Sequence, residues 1–160
     1  MKNFIVSTKV GSIIGYVREN KIIQIELSNE ILDDYYDEYT NNFYYKIKEY
    51  LDGNDVLDEI PYEITFKNDF EKRVLIALKN VKFGNVVSYK GLAILAGYPN
   101  AARAVGTVMA NNRIPLIFPC HRVIKSNGEI GKYGGGEPLK RYLLETEGII
   151  IKREKVCNEF

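Results

Sequence analysis

The chain has 160 residues, 46% hydrophobic and 27% charged, with a net charge of +1; these proportions describe a globular chain of one or two small domains. Apolar runs of only a few residues exclude a bilayer-spanning helix, and one histidine (His121) with two cysteines (Cys120, Cys157) excludes a disulfide framework or a zinc site. The charge is unevenly divided: residues 1–70 carry 7 Lys+Arg against 14 Asp+Glu, and residues 71–160 carry 15 against 7, so the second half either faces a polyanion or scatters its charge over a solvated surface.

Residues 4–7, 12–18 and 22–26 are rich in β-branched side chains, with breaks at Val10-Gly11 and Glu19-Asn20. They predict a small antiparallel meander. Residues 31–40 read as loop or irregular helix. Residues 43–51 have helical spacing and stop before Asp52-Gly53. Residues 54–68 contain Pro61 and predict a strand plus a connection. The expected boundary divides an N-terminal α/β support domain, residues 1–66, from a second domain, residues 67–160.

The second domain reads as mostly helical. Asp69 is the expected N-cap of a helix over residues 70–81, with Phe70, Val74, Leu75 and Leu78 on one face. Ser88 caps residues 89–96, Gly97 ends them, and Asn100 caps residues 101–110. Two short capped helices across a glycine-containing turn form a helix-turn-helix pattern. Ala101, Ala102 and Gly106 make the second of these helices slim, with Arg103 projecting. Such a helix can approach a neighbouring helix or a nucleic-acid groove. Residues 115–118 predict a buried extended segment and Ser126-Asn127-Gly128 a turn. A last helix is predicted over residues 138–147, with Leu139, Tyr142 and Leu143 inward and Pro138 in its first turn. The tail, residues 149–160, reads as a strand-like segment and a loose end. The first residues show no apolar signal-peptide core, so free thiols in the cytoplasm, or the nucleus of a eukaryote, are expected.

The lone histidine directly follows a cysteine. A free thiol has a pKa of about 8.5 and needs a base or a nearby positive charge to become a nucleophile at neutral pH. In an extended segment Cys120 and His121 would point to opposite faces, so contact needs a turn or a bridging water. A histidine base also needs a partner to fix its tautomer, and Glu145 and Glu147 are the available carboxylates. Arg122 and Lys125 add positive potential. The alternative is a buried cysteine beside a satisfied histidine.

The stretch PCHRVI, residues 119–124, resembles the active-site motif of the O6-alkylguanine-DNA alkyltransferases (methylated-DNA–protein-cysteine methyltransferases). The resemblance extends from residue 84 to 148 through GNVVSYKGLA, NAARAVGTVMANN, IPLIFPCHRVI, YGGG and LKRYLLETEG. It implies an α+β fold: a small N-terminal β-sheet domain with a helix, RNase H-like, and a mostly helical C-terminal domain with a helix-turn-helix. It also implies a monomer without cofactor or metal that binds double-stranded DNA, extrudes O6-alkylguanine and moves the alkyl group to its own cysteine, once per molecule. O4-alkylthymine is a further candidate substrate.

Carried over to this chain, the resemblance makes Cys120 the acceptor, His121 the base acting through water, Glu147 its orienting partner and Asn112 the hinge. Tyr89 would rotate the nucleotide and donate to the departing guanine. Arg103 would fill the vacated stack, with Ala101, Ala102, Gly106, Ser88, Tyr89 and Arg122 at the DNA. Tyr89, Met109, Val123, Tyr133, Gly134 and Gly135 would form the pocket. Gly134 stands where several relatives have serine, which bears on pocket width. Three rival readings remain. A lesion sensor would lack the cysteine, a thiol hydrolase would need an oxyanion site, and a transcription factor would not need PCHR.

Overall fold

The computed structural model describes residues 1–157. Strands β1 (Lys2–Thr8), β2 (Gly11–Arg18) and β3 (Lys21–Ser28) form an antiparallel sheet in the order β1-β2-β3. Alternation along the strands buries Phe4, Val6, Ile13, Val17, Ile22 and Ile25 on one face. Glu19 and Asn20 join β2 to β3 with φ of 50° and 63°, the left-handed pair that a tight two-residue hairpin requires. Gly15 lies under the Phe4 ring, where a Cβ would meet ring carbons at 2.2 Å.

Helix α1 (Asn41–Leu51) lays Phe43, Ile47 and Tyr50 into the core. The tyrosine-rich segment before it is loop, tied to β1 by an isolated bridge between Ile5 and Tyr35. The strand expected within residues 54–68 does not form. Ile22 donates to the Pro61 carbonyl and accepts from Glu63 N–H, both at 2.9 Å, and the pairing goes no further. Pro61 has no N–H to extend a ladder. A short 3-10 turn at Leu57–Glu59 precedes it.

Helix α2 spans Asp69–Lys79, and its N-cap is Asn68, not Asp69. Asn68 is extended and its side chain accepts from Glu71 N–H at 2.8 Å. Asp69 is already inside the first turn, where it pairs with Arg73. A two-residue strand β4 (Val87–Ser88) leads into α3 (Tyr89–Leu95). Helix α4 (Ala102–Ala110) follows, with Ala101 rather than Asn100 at its cap position. The chain already turns at Tyr98–Ala101 through a 3.0 Å backbone bond, so the helix starts one residue later than the asparagine would set it. Strand β5 (Val123–Ile124) pairs in parallel with β4.

Helix α5 (Glu137–Thr146) buries Leu139, Lys140, Leu143 and Leu144. Tyr142, expected inward, is half-exposed with the Lys9 ammonium 5.8 Å from its ring. Leu144 takes the inward position. Beyond α5 the tail forms a small hairpin, β6 (Ile151–Lys152) with β7 (Lys155–Val156); the end of the predicted loose tail lies outside the described residues. No helix among the described residues is long and apolar enough to cross a membrane.

One core runs through both halves of the chain. Tyr62 and Phe66 pack edge-on against Phe118, and Ile25 N–H donates to the Arg113 carbonyl at 2.9 Å. The N-terminal sheet is therefore fixed against the segment that carries Cys120.

Candidate functional site

The apolar run before Cys120 is a buried turn, not an extended segment. Leu116 has φ of 74°, and Phe118 N–H reaches back to the Ile114 carbonyl at 3.0 Å. Asn112 braces this turn from inside. Its Nδ2 donates to Phe118 O at 2.8 Å and its Oδ1 accepts from Ile114 N–H at 3.2 Å. Cys120–Arg122 then form one turn of 3-10 helix. The pair therefore lies on a helical turn rather than on a strand.

Cys120 is 8% exposed. It lines a cavity of about 460 Å³ together with Tyr89, Met109, Asn112, Tyr133 and Gly134. Two residues expected in this pocket do not reach it. Val123 is wholly buried behind the turn in the β4–β5 pair, and Gly135 is packed under Leu27 and Leu139. Gly106 also lines it, and Leu27, Ala110, Pro115 and Lys132 complete the lining; no sequence signal marked these last four for the pocket. Leu27 comes from the N-terminal sheet, some hundred positions from the motif.

His121 is fully buried, with Nε2 2.7 Å from Glu147 Oε2. With Nε2–H donated to that carboxylate, the neutral ring carries its lone pair on Nδ1, which has no partner among the described residues. Of the two candidate carboxylates, Glu145 pairs with Arg141 at the surface. Glu147 is the hub. It accepts from the Tyr50 hydroxyl at 2.6 Å, from Gly84 N–H at 2.9 Å and from Arg122 Nε at 2.9 Å. Arg122 also donates to Val81 O at 2.7 Å and is 6% exposed. It is thus committed inside the protein, and its expected place among the DNA-facing residues is corrected. Lys125 is exposed and pairs loosely with Glu129, so it does not bias the thiol either.

Burial would raise the Glu147 carboxyl, but the hydrogen bond from His121 and the Arg122 charge override it and hold it down to about 2. Burial pushes His121 below its usual value, against the pull of Glu147. Burial pushes the Cys120 thiol up, against Asn112 and Lys140. At neutral pH the site therefore holds a carboxylate, a neutral imidazole and a protonated thiol. Tyr89, raised by burial and then by Cys120, keeps its proton. The Tyr133 hydroxyl is buried without a partner among the described residues.

The cavity opens beside α4. Met109 closes its inner wall, and Gly106 faces Tyr89, whose ring would lie 3.9 Å from an added Cβ. Ala101 and Ala102 are half-buried at the start of the helix, and Arg103 is exposed without an ion pair among the described residues. The Ser88 hydroxyl caps α3, accepting from Gly91 N–H at 2.9 Å. Two further site residues escaped the sequence reading. Tyr50 gave no signal, since nothing in an N-terminal helix points to a carboxylate 97 positions away. Lys140 did give one: a lysine flanked by the inward Leu139 and Leu143.

A buried thiol on a tight turn, next to a histidine–carboxylate pair and at the wall of a cavity beside a slim helix, defines a thiol-centred protein of mixed α/β fold, with five α-helices among the described residues. Residues 69–149 match the family described as "6-O-methylguanine DNA methyltransferase, DNA binding domain", and the chain belongs to that family. It is 50% identical over 105 residues to the methylated-DNA–protein-cysteine methyltransferase of Cricetulus griseus, an alignment covering 64% of this chain and 50% of that protein. The chain thus matches about half the length of such curated relatives. Its fold is similar to that of Mycobacterium tuberculosis OGT crystallised with DNA, with a TM-score of 0.71 and 28% identity over 89% of this chain and 90% of that one. It is also similar to S. pombe Atl1, crystallised with damaged DNA containing O6-carboxymethylguanine, with a TM-score of 0.50 and 33% identity over 55% and 83% of the two chains.

Proposed function

We propose that this protein repairs DNA by direct reversal, moving the alkyl group of O6-alkylguanine in a flipped-out base to Cys120, once per molecule. The observation that carries the reading is Cys120 at the cavity wall, next in sequence to a buried His121 whose Nε2 is held by Glu147 and whose Nδ1 has no partner among the described residues. The Cys120 proton passes to His121 Nδ1 across a bridging water, and Glu147 stabilises the imidazolium that results. The S–C bond forms as the C–O6 bond breaks. Tyr89 hands its hydroxyl proton to the departing guanine, and the thiol proton, released from His121 through solvent, restores the tyrosine. The thioether has no hydrolytic route in this arrangement, so the protein is consumed.

The finer architecture belongs to the same proposal. Residues 1–66 act as a support domain, RNase H-like, and residues 67–160 carry DNA binding and chemistry. Helices α3 and α4 act as a helix-turn-helix with α4 against the duplex. Ala101, Ala102 and Gly106 allow close approach, Ser88 sits at the rim, and Arg103 fills the vacated stack. Asn112 positions the turn before Cys120. The basic second half supplies salt-sensitive phosphate affinity. The protein acts as a monomer in the cytoplasm, or the nucleus of a eukaryote, without cofactor or metal. The likeness to Atl1 keeps a lesion sensor as the second reading. Intact mass after mixing with duplex DNA carrying one O6-methylguanine separates them. Gain of one methyl, absent in Cys120→Ser, is the expected result. Lesion binding without mass gain would establish the sensor instead.

A further inference from the structure

The turn before Cys120 contains a residue in a costly conformation. Leu116 has φ of 74°, a left-handed geometry that a leucine keeps only where its surroundings impose it. Asn112 braces the turn from within. The chain is also tied from outside on either side of Leu116, and both ties lead to helix α2.

Ahead of Leu116, Arg113 reaches the first turn of α2. One terminal nitrogen, Nη2, donates to Glu71 Oε1 at 3.1 Å and to the Thr65 carbonyl at 2.7 Å. Glu71 is buried and held in place. The same Oε1 accepts from Lys67 N–H at 3.1 Å, and Glu71 N–H donates to the Asn68 side chain at 2.8 Å, so the carboxylate belongs to a capping box as well as to the ion pair. The Arg113 carbonyl accepts from Ile25 N–H. One residue thus joins β3, the connection between the two halves and α2.

Past Leu116, Lys79 reaches the chain from the last turn of α2. Its Nζ donates to the Ile117 carbonyl at 2.9 Å and lies 5.1 and 5.2 Å from the ring centroids of Tyr62 and Phe118. Asp58, 3.4 Å away, is its partner toward solvent. Glu71 and Lys79 stand just over two helical turns apart, about 12 Å along the axis. Val74, Leu75 and Leu78 seat the helix between them in the core. Main-chain bonds carry the constraint on to the thiol: Phe118 N–H donates to Ile114 O at 3.0 Å and Cys120 N–H to Phe118 O at 2.8 Å.

We propose that α2 is a two-point clamp on the cysteine-bearing turn, with Arg113 and Lys79 as positioning residues on either side of Leu116. The inference rests on reading Cys120 as the alkyl acceptor. The clamp holds Leu116 in its left-handed conformation and so fixes where the turn presents the sulfur to the cavity, and in-line displacement at a methyl carbon is sensitive to that placement.

The test uses the full chain with Arg113→Met, Lys79→Met and Arg113→Lys, read in two ways. Amide hydrogen exchange at Phe118 and Cys120 is compared with exchange in β2. Single-turnover transfer from duplex DNA carrying one O6-methylguanine gives a saturating rate and a half-saturating concentration. Both methionine variants are expected to exchange about tenfold faster or more at the turn, with a smaller change in β2. Their saturating rate should fall about tenfold or more, with the half-saturating concentration unchanged. Arg113→Lys should recover part of both effects, because a single nitrogen serves both acceptors of Arg113 and an ammonium can do the same. Equal loss of protection at the turn and in β2, or a saturating rate equal to that of the parent, would overturn the clamp. A merely structural contact lowers stability everywhere and leaves the folded site its geometry. If Arg113→Met does not fold, Lys79→Met decides by the same two criteria. A parent that transfers no methyl would sink the repair reading, and the exchange comparison would then decide the clamp by itself.

Discussion

Replacing Glu147 by glutamine tests the centre of the site most directly. The carboxylate accepts from Tyr50, His121, Gly84 and two nitrogens of Arg122. Glutamine keeps the shape, removes the charge and turns an NH2 group toward one set of donors. Arg122 would stay buried without its anion, and breaking such a pair from one side costs about 3–5 kcal/mol. The carboxyl itself gives a second route to the magnitude. Its displacement from 4.5 to about 2 corresponds to about 3 kcal/mol at ~1.4 kcal/mol per unit. For a chain of this size each kcal/mol lowers Tm by about 2–4 °C, so Glu147→Gln is expected to melt about 6–20 °C below the parent near neutral pH.

The pH dependence fixes the sign. A carboxyl whose folded pKa is depressed stabilises the fold fully above about 4.5, and that contribution is lost as pH falls toward about 2. The gap between parent and variant should therefore narrow across that window. Thermal unfolding followed by circular dichroism reads both quantities. A drop under about 2 °C near neutrality, or a gap constant down to the acid limit of folding, would refute the claim that Glu147 is held as a buried, multiply bonded anion.

Other outcomes follow from the same geometry. Arg103→Ala should leave Tm unchanged, since the side chain is exposed and unpaired among the described residues. Single-turnover transfer from duplex DNA should nonetheless fall about tenfold or more, a ~1.4 kcal/mol share of the extrusion cost; an equal loss with a free modified base would rule out a role in flipping. Gly135→Ala would place a Cβ 2.5 Å from Leu139 and 2.9 Å from Leu27, and the resulting overpacking should cost about 1–3 kcal/mol in denaturant unfolding. Gly134→Ser meets nothing within 4 Å and should unfold like the parent. If the two variants behave alike, the packing argument at Gly135 is wrong.

Much of this protein could be read from its sequence because the information was local. The β-meander, α1, the Ser88 cap and the Gly97 stop depend on residues within a few positions of one another. So does PCHR. The misses involve either competition between neighbours or distance along the chain. Asn68 and Asp69 are both good caps, and backbone geometry chose between them. The segment before Cys120 read as extended because apolar runs do not reveal a left-handed residue such as Leu116. The resemblance placed Arg122 at the DNA, and nothing in the sequence shows its burial beside Glu147. Tyr50 and Leu27 were out of reach, since only the packed sheet brings the N-terminal half to the thiol.

The hydroxyl of Tyr50 gives the N-terminal half a stake in the chemistry. The segment that matches the family, residues 69–149, holds the cysteine, the histidine and the glutamate, yet it does not hold the whole set of donors around that carboxylate. Removing the first sixty-odd residues would leave Glu147 short of a donor and open the Leu27 side of the cavity to water. Because one core is shared by both halves, the same truncation would disturb the packing that holds the cysteine turn as well as the hydrogen bonding of the carboxylate.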